Sequence, residues 1–160
     1  MNHSADTLKN EMIHKYFNTV YKIALSRTGN THHAEDVVQD VFLRYLKSDK
    51  VFESEEHLKA WLIRVTINCS KSIFLSSWHK KTTELTDEIV FDSPEKSEVY
   101  YAAMALPAKY RTVIHLFYYE DMSVKDISET LGMKESTVKS QLHRAREMLK
   151  ENLKGEYEDV

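Results

Sequence analysis

The sequence predicts an all-α protein made of two small helical domains joined by a flexible linker. Three observations predict it. Apolar residues recur every three to four positions along most of the chain, which is the period of a half-buried helix. Glycine and proline are scarce and sit at edges: Gly29, Gly132 and Gly155 stand where periodic segments stop, and Pro94 and Pro107 precede them. From residue 82 to 97 the period gives way to a polar, acidic stretch interrupted only by IVF at 89–91. We therefore expect a first domain over 8–78, a linker over 79–97, a second domain over 98–153 and a frayed acidic tail over 154–160.

The first helix is expected over 8–28, with Ile13, Tyr16, Phe17, Val20, Ile23 and Ala24 along its core side. Gly29 and Asn30 end it, and Thr31 caps a second helix. Acids suit the first turn of that second helix, near the positive end of the dipole. Val38, Val41, Phe42 and Tyr45 form its buried face. Asp36, Gln39 and Asp40 lie opposite, with Leu43 among them. A leucine inside an acid and amide face suits a partner helix, although a lone exposed leucine is also ordinary.

Residues 48–57 form a polar loop around Phe52. A third helix follows over about 58–75, with Trp61, Leu62, Val65, Cys69 and Ile73 toward the core. Lys59, Arg64, Asn68 and Lys71 occupy its other faces, with Ile63 and Ile67 between them. Basic residues interleaved with apolar ones suit backbone phosphates and unstacked bases. A basic helix face packed on a neighbouring element has the same pattern. SSWHKK at 76–81 continues the basic surface.

A fourth helix is expected over about 95–105, closed by Leu106 and Pro107. Pro107 opens a fifth, carrying Tyr110, Val113, Ile114, Phe117 and Tyr118. Ser123 can cap the next, on which Val124, Ile127, Ser128 and Leu131 recur at helical spacing. Gly132 then supplies a left-handed stop. A longer helix starts near 134–136, with Val138, Leu142, Ala145 and Leu149 as its apolar stripe. Short helix, glycine turn and long helix make a helix-turn-helix over 123–150. Its outward face offers Ser136, Lys139, Ser140, His143 and Arg144, flanked by Arg146 and Lys150. Small hydroxyls let such a helix approach a groove, and the cations reach phosphates and guanine edges.

The net charge of −3 does not exclude nucleic acid, because the charge is segregated. His57 to Thr83 holds five Lys or Arg and no acid, whereas Glu84 to Glu98 holds six acids and one lysine. Screening confines a polyanion to the local patch, within about 10 Å.

Catalytic chemistry finds no support. The sequence has no phosphate-cradling glycine loop, nucleophile elbow or HExxH. His32 and His33 are adjacent and cannot share one helical face, and Cys69 is alone. We expect no enzyme activity, no metal and no cofactor. One cysteine fits a reducing cytoplasm, and no segment reads as a signal peptide or membrane insertion.

Four segments together resemble a sigma-70 family RNA polymerase sigma factor of the extracytoplasmic-function (ECF) group. They are AEDVVQDVFLRYL at 34–46, FESEEHLKAWLIRVTINCSKS at 52–72, LPAKYRTVIHLFYYEDMS at 106–123 and DISETLGMKESTVKSQLHRAREML at 126–149. The resemblance covers about residues 8–153, and the order and separation of the segments make it specific. It implies regions 2 and 4 of that family without regions 1.1 and 3. By resemblance, Asp36, Gln39, Asp40 and Leu43 bind the β′ clamp helices of core RNA polymerase. The loop Phe52, Glu53, Ser54 to Glu56, with Arg64, Asn68 and Lys71, melts and reads the −10 element of promoter DNA. Ser136, Lys139, Ser140, His143 and Arg144 lie where region 4 reads the −35 element, and region 4 also meets the β flap. An anti-sigma factor is a further partner that the resemblance implies. Two features depart from the family pattern: Glu53-Ser54-Glu55-Glu56 is more acidic than its glycine-containing versions, and His143 stands where members vary. A stand-alone helix-turn-helix regulator is the alternative for 106–150, and a helical interaction module without DNA is a third reading. The stand-alone regulator does not explain the acidic helix and the acid-free basic stretch.

Overall fold

Apolar residues three and four apart fold the N-terminal half into three helices. The computed structural model describes residues 3–80 and 98–158, with side chains described over 5–72 and 98–154. Residues 81–97, which include most of the expected linker and IVF at 89–91, lie outside the described residues, as do the side chains of 73–80, Ile73 among them. The chain forms two compact units, residues 1–85 and 86–160. Among the described residues all regular structure is helical.

The first unit contains α1 (His3–Thr28), α2 (Thr31–Lys47) and α3 (Glu55–Lys80), each packed on the other two. Val20 and Ala24 of α1, Val37, Val38, Val41 and Phe42 of α2, and Leu58, Leu62 and Cys69 of α3 share one core. Gly29 breaks α1 in the left-handed conformation, at φ 68°. Asn30, rather than Thr31, is the cap of α2: its side-chain oxygen accepts the His33 N–H at 3.0 Å. Thr31 is instead buried as the first helical residue.

The face of α3 differs from expectation. Ile63 and Ile67 are buried, not interleaved with the basic surface, whereas Trp61 and Val65 are half-buried. A helix that packs on two neighbours buries a wider arc than one stripe, and that arc here includes Thr66 and Ser70. Their hydroxyls donate to the carbonyls of Leu62 and Thr66, at 2.6 and 2.7 Å, so burial leaves no orphaned oxygen there. Phe17, expected in the core, is 45% exposed and stacks on Phe42 at a centroid distance of 6.2 Å.

The second unit contains α4 (Glu98–Met104), α5 (Ala108–Ile114), a π-helical turn (His115–Tyr119), α6 (Val124–Leu131) and α7 (Glu135–Glu158). Both α4 and α5 pack on α7, as does α6. Ala102, Leu106, Val113, Leu116, Ile127, Val138, Leu142 and Ala145 are its buried apolar residues of lowest exposure. Pro107 stands just before α5, as its cap rather than its first residue. Tyr118, expected on the apolar side, is exposed because the wider π turn rotates residues 115–119 away from α-helical phase. The turn closes through Asp121, at φ 55°, a conformation that aspartate tolerates. Gly155 does not end α7, which runs on to Glu158; one glycine costs a helix only about 1 kcal/mol.

Candidate polymerase and nucleic-acid surfaces

Helical phase puts Asp36, Gln39, Asp40 and Leu43 on one side of α2. Asp36 and Gln39 are exposed, Asp40 is half-buried and Leu43 is 52% exposed. Asp40 is paired along its own helix. Arg44 Nε lies 3.3 Å from Asp40 Oδ1, one turn along the same helix. Cys69 of α3 adjoins the same carboxylate. Burial, then the neighbouring Asp40 carboxylate, pushes the thiol up to about 12, so it stays protonated. Leu46 extends the apolar part of the face by one turn and is 44% exposed. It lies three residues beyond Leu43, a spacing that could have revealed it. Below it, Lys9 Nζ of α1 donates to the carbonyls of Leu46 and Ser48, at 3.2 and 2.9 Å, and ties off the end of α2.

The loop before α3 is tied down along its length. Phe52 is half-buried, against Trp61 at 5.5 Å and Tyr45 at 6.3 Å between ring centroids. Ser54 acts as the helix cap: its hydroxyl oxygen accepts the His57 N–H at 3.1 Å. Glu53 is exposed. Its N–H donates to His57 Nδ1 at 3.2 Å. Glu55 Oε2 accepts from Tyr16 at 2.8 Å and pairs with Lys15. Lys15, then Tyr16, holds the Glu55 carboxyl below its ordinary value. Arg64, Asn68 and Lys71 are exposed at positions i, i+4 and i+7 of α3, and so form one stripe. This stripe carries no isoleucine, since Ile63 and Ile67 are buried.

In the second unit, Ser123 caps α6 by accepting the Asp126 N–H at 3.0 Å. Gly132 closes it at φ 68° and ψ 36°, and the Gly132 and Met133 N–H groups both donate to Ser128 O. Val138, Leu142 and Ala145 turn inward, which leaves Ser136, Lys139, Ser140, His143 and Arg144 exposed on α7. Two of these side chains share an acid that sequence reasoning passed over. Glu147 lies 3.2 Å from His143 Nε2 and 3.9 Å from Arg144 Nη1. Arg146 is engaged elsewhere: its Nε donates to the Tyr118 hydroxyl at 2.7 Å, and its guanidinium covers the Phe117 and Tyr118 rings.

Among the described residues, no three His, Cys, Asp or Glu converge as a metal site, and no helix is long and apolar enough to cross a membrane.

Comparison with known proteins gives this arrangement its family. Residues 12–79 match sigma-70 region 2, and residues 96–149 match sigma-70 region 4. The chain is 33% identical over 153 residues to the ECF RNA polymerase sigma factor SigM of Bacillus subtilis, covering 88% of this chain and 91% of that one. It is 29% identical to SigW of the same organism, covering 90% and 88%. Against SigE of Mycolicibacterium smegmatis it is 28% identical; there 89% of this chain aligns, but it spans only 60% of SigE. In fold it is similar to the sigma factor RpoE of Bartonella quintana, solved in complex with the anti-sigma factor NepR, with a TM-score of 0.76 over 91% of this chain and 96% of that one, at 24% identity. The chain belongs to the sigma-70 family, in its extracytoplasmic-function group of sigma factors, which direct promoter-specific transcription initiation.

Proposed function

We propose that this chain binds core RNA polymerase through Asp36, Gln39, Asp40 and Leu43 and hands it a promoter. Phe52, Glu53, Ser54, Arg64, Asn68 and Lys71 read and open the −10 element. Ser136, Lys139, Ser140, His143 and Arg144 read the −35 element in the major groove, and the second unit also meets the β flap. One observation carries the reading. The first unit pairs an acid, amide and leucine face on α2 with a basic stripe on α3, while the second unit supplies a helix-turn-helix with an exposed polar face. A single DNA-binding module needs only the last of these.

The physics favours a subunit over a lone DNA binder. A helix with a few cations makes few phosphate contacts and binds duplex weakly by itself. Two such units held on one polymerase make the second DNA contact intramolecular, which raises avidity. Opening the −10 segment costs a few kcal/mol per unstacked base, and capture of an extruded base offsets part of that cost. The acids of the loop repel phosphates but accept from base amino groups, such as cytosine N4. The chain selects the start site; catalysis belongs to the polymerase. It acts in the cytoplasm. An anti-sigma factor belongs to the same reading; RpoE of Bartonella quintana, which has the same fold, was solved in complex with the anti-sigma factor NepR.

Transcription in vitro with core polymerase, followed by start-site mapping, tests the proposal. Initiation at discrete promoters that share two spaced elements is expected. Failure to associate with core polymerase, or association without directed initiation, overturns it.

A further inference from the structure

We infer that His57 is the positioning residue of the −10 loop. This rests on the reading that residues 52–54 and the α3 stripe recognise the −10 element.

The first turn of a helix leaves its N–H groups without helical partners. At α3, Ser54 answers one by accepting the His57 N–H at 3.1 Å. His57 then reaches back one residue past the cap and accepts the Glu53 N–H on Nδ1 at 3.2 Å. The exchange resembles a capping box, with an imidazole in place of the usual glutamate and the bond moved into the loop. An Nδ1 that accepts is unprotonated, so the proton of the neutral ring sits on Nε2. The ring plane is fixed as well: Phe52 meets it edge-on, at 5.3 Å between centroids and 76° between planes. Phe52 is in turn seated on Trp61 and Tyr45. Residues 52, 53, 54 and 57 therefore form one set, which fixes the backbone that carries the proposed reading groups. His57 is itself exposed and lies seven, eleven and fourteen residues before Arg64, Asn68 and Lys71, on their stripe. It stands where the loop joins the basic face.

The two ring nitrogens make separable predictions. Asparagine places Oδ1 near the position of Nδ1, whereas glutamine places its amide near that of Nε2. The test uses the full chain with core polymerase and a promoter library randomised across the −10 segment. Base unpairing there is followed by permanganate reactivity. His57→Leu and His57→Gln should each lower opening roughly three- to tenfold, the loss expected for one hydrogen bond. Both should flatten −10 preference, whereas His57→Asn should restore both. Long-range proton–nitrogen spectra of the unaltered chain should show Nδ1 as the bare nitrogen. The inference is overturned if Asn is as defective as Leu, if all three variants behave like the parent, or if Nδ1 carries the proton. Melting curves separate loss of fold from loss of positioning, and the spectrum decides the matter even if a variant unfolds. Arg64→Ala and Asn68→Ala identify which idea fails. If neither changes −10 preference, the underlying reading falls and the role of His57 falls with it. If they change it and the His57 variants do not, only the inference about His57 falls.

Discussion

Tyr16 of α1 donates its hydroxyl proton to Glu55 Oε2 of α3 at 2.8 Å, across 39 residues of sequence. The bond joins the first helix to the start of the third, beside the proposed −10 loop. Burial, then the Glu55 carboxylate, pushes the Tyr16 phenol up to about 12. A phenol raised above its ordinary value of 10.0 keeps its proton longer in the folded state. Its contribution to stability is complete below pH 10 and is lost as pH rises through about 12. Glu55 works in the opposite sense. Its carboxyl is lowered, so its contribution is present above 4.5 and is lost as pH falls through the folded value. Tyr16→Phe should remove the alkaline loss and speed hydrogen exchange at the amides of 53–58. Exchange mass spectrometry and melts on each side of both windows measure this; an unchanged exchange rate at 53–58 would refute the tie.

The α2 face gives the second prediction. Asp40 is paired with Arg44 on its own helix, so its carboxylate is presented in a defined place. Asp40→Lys should weaken core polymerase binding by at least about 2 kcal/mol, the usual scale for disrupting a charged interface group. Far-UV circular dichroism should not change, since the residue is only half-buried. Arg44→Ala should have a smaller effect in the same direction, because the carboxylate survives but loses its donor. Normal holoenzyme assembly by Asp40→Lys would count decisively against the face.

Much of this was legible because helices announce themselves locally. Period, Ser123 and Gly132 are all read within one or two turns, and both the α6 cap and its left-handed stop are present. What a helix packs against is not local information. The burial of Ile63 and Ile67 depends on α3 having two neighbours. The exposure of Phe17 and Tyr118 likewise depends on tertiary phase and on a π turn that no residue type signals. At the candidate surfaces, sequence spacing brought Asp36, Gln39, Asp40 and Leu43 to one face but missed their tethers. The bonds from Lys9 to Leu46 and from Tyr16 to Glu55 join residues 37 and 39 positions apart, beyond any periodic signal.

The third prediction concerns the helix-turn-helix corner. Gly132 holds φ 68°, and a Cβ there would meet nothing within 4 Å. Gly132→Ala should therefore cost only the left-handed penalty of an L-residue, about 1–2 kcal/mol. Gly132→Asn should cost less, since asparagine tolerates this region. Both tryptophans, Trp61 and Trp78, belong to the first unit. Their fluorescence should report unchanged urea unfolding there, while far-UV circular dichroism should show the second unit melting earlier. Equal loss in Ala and Asn variants would mean that the turn is limited by something other than its backbone.

Glu147 offers the sharpest test of the groove face. It lies within 3.9 Å of both His143 and Arg144, all three being exposed. Exposed pairs of this kind contribute little to stability, so Glu147→Gln should leave the fold intact. Its effect on DNA should be larger. The carboxylate both occupies two groups proposed to contact DNA and repels phosphates approaching the same turn. Glu147→Gln should tighten holoenzyme binding to promoter duplex and steepen its salt dependence by up to about one phosphate contact. Lys139→Ala and Arg144→Ala should act in reverse, each weakening −35 binding by about 1–3 kcal/mol where the residue reads a base. A base contact relaxes preference at one position, whereas a phosphate contact weakens all sequences alike. Binding isotherms over a salt series, on promoters varied across the −35 element, separate the two. If Glu147→Gln weakens binding while both alanine variants leave the profile unchanged, α7 presents a different face to the DNA.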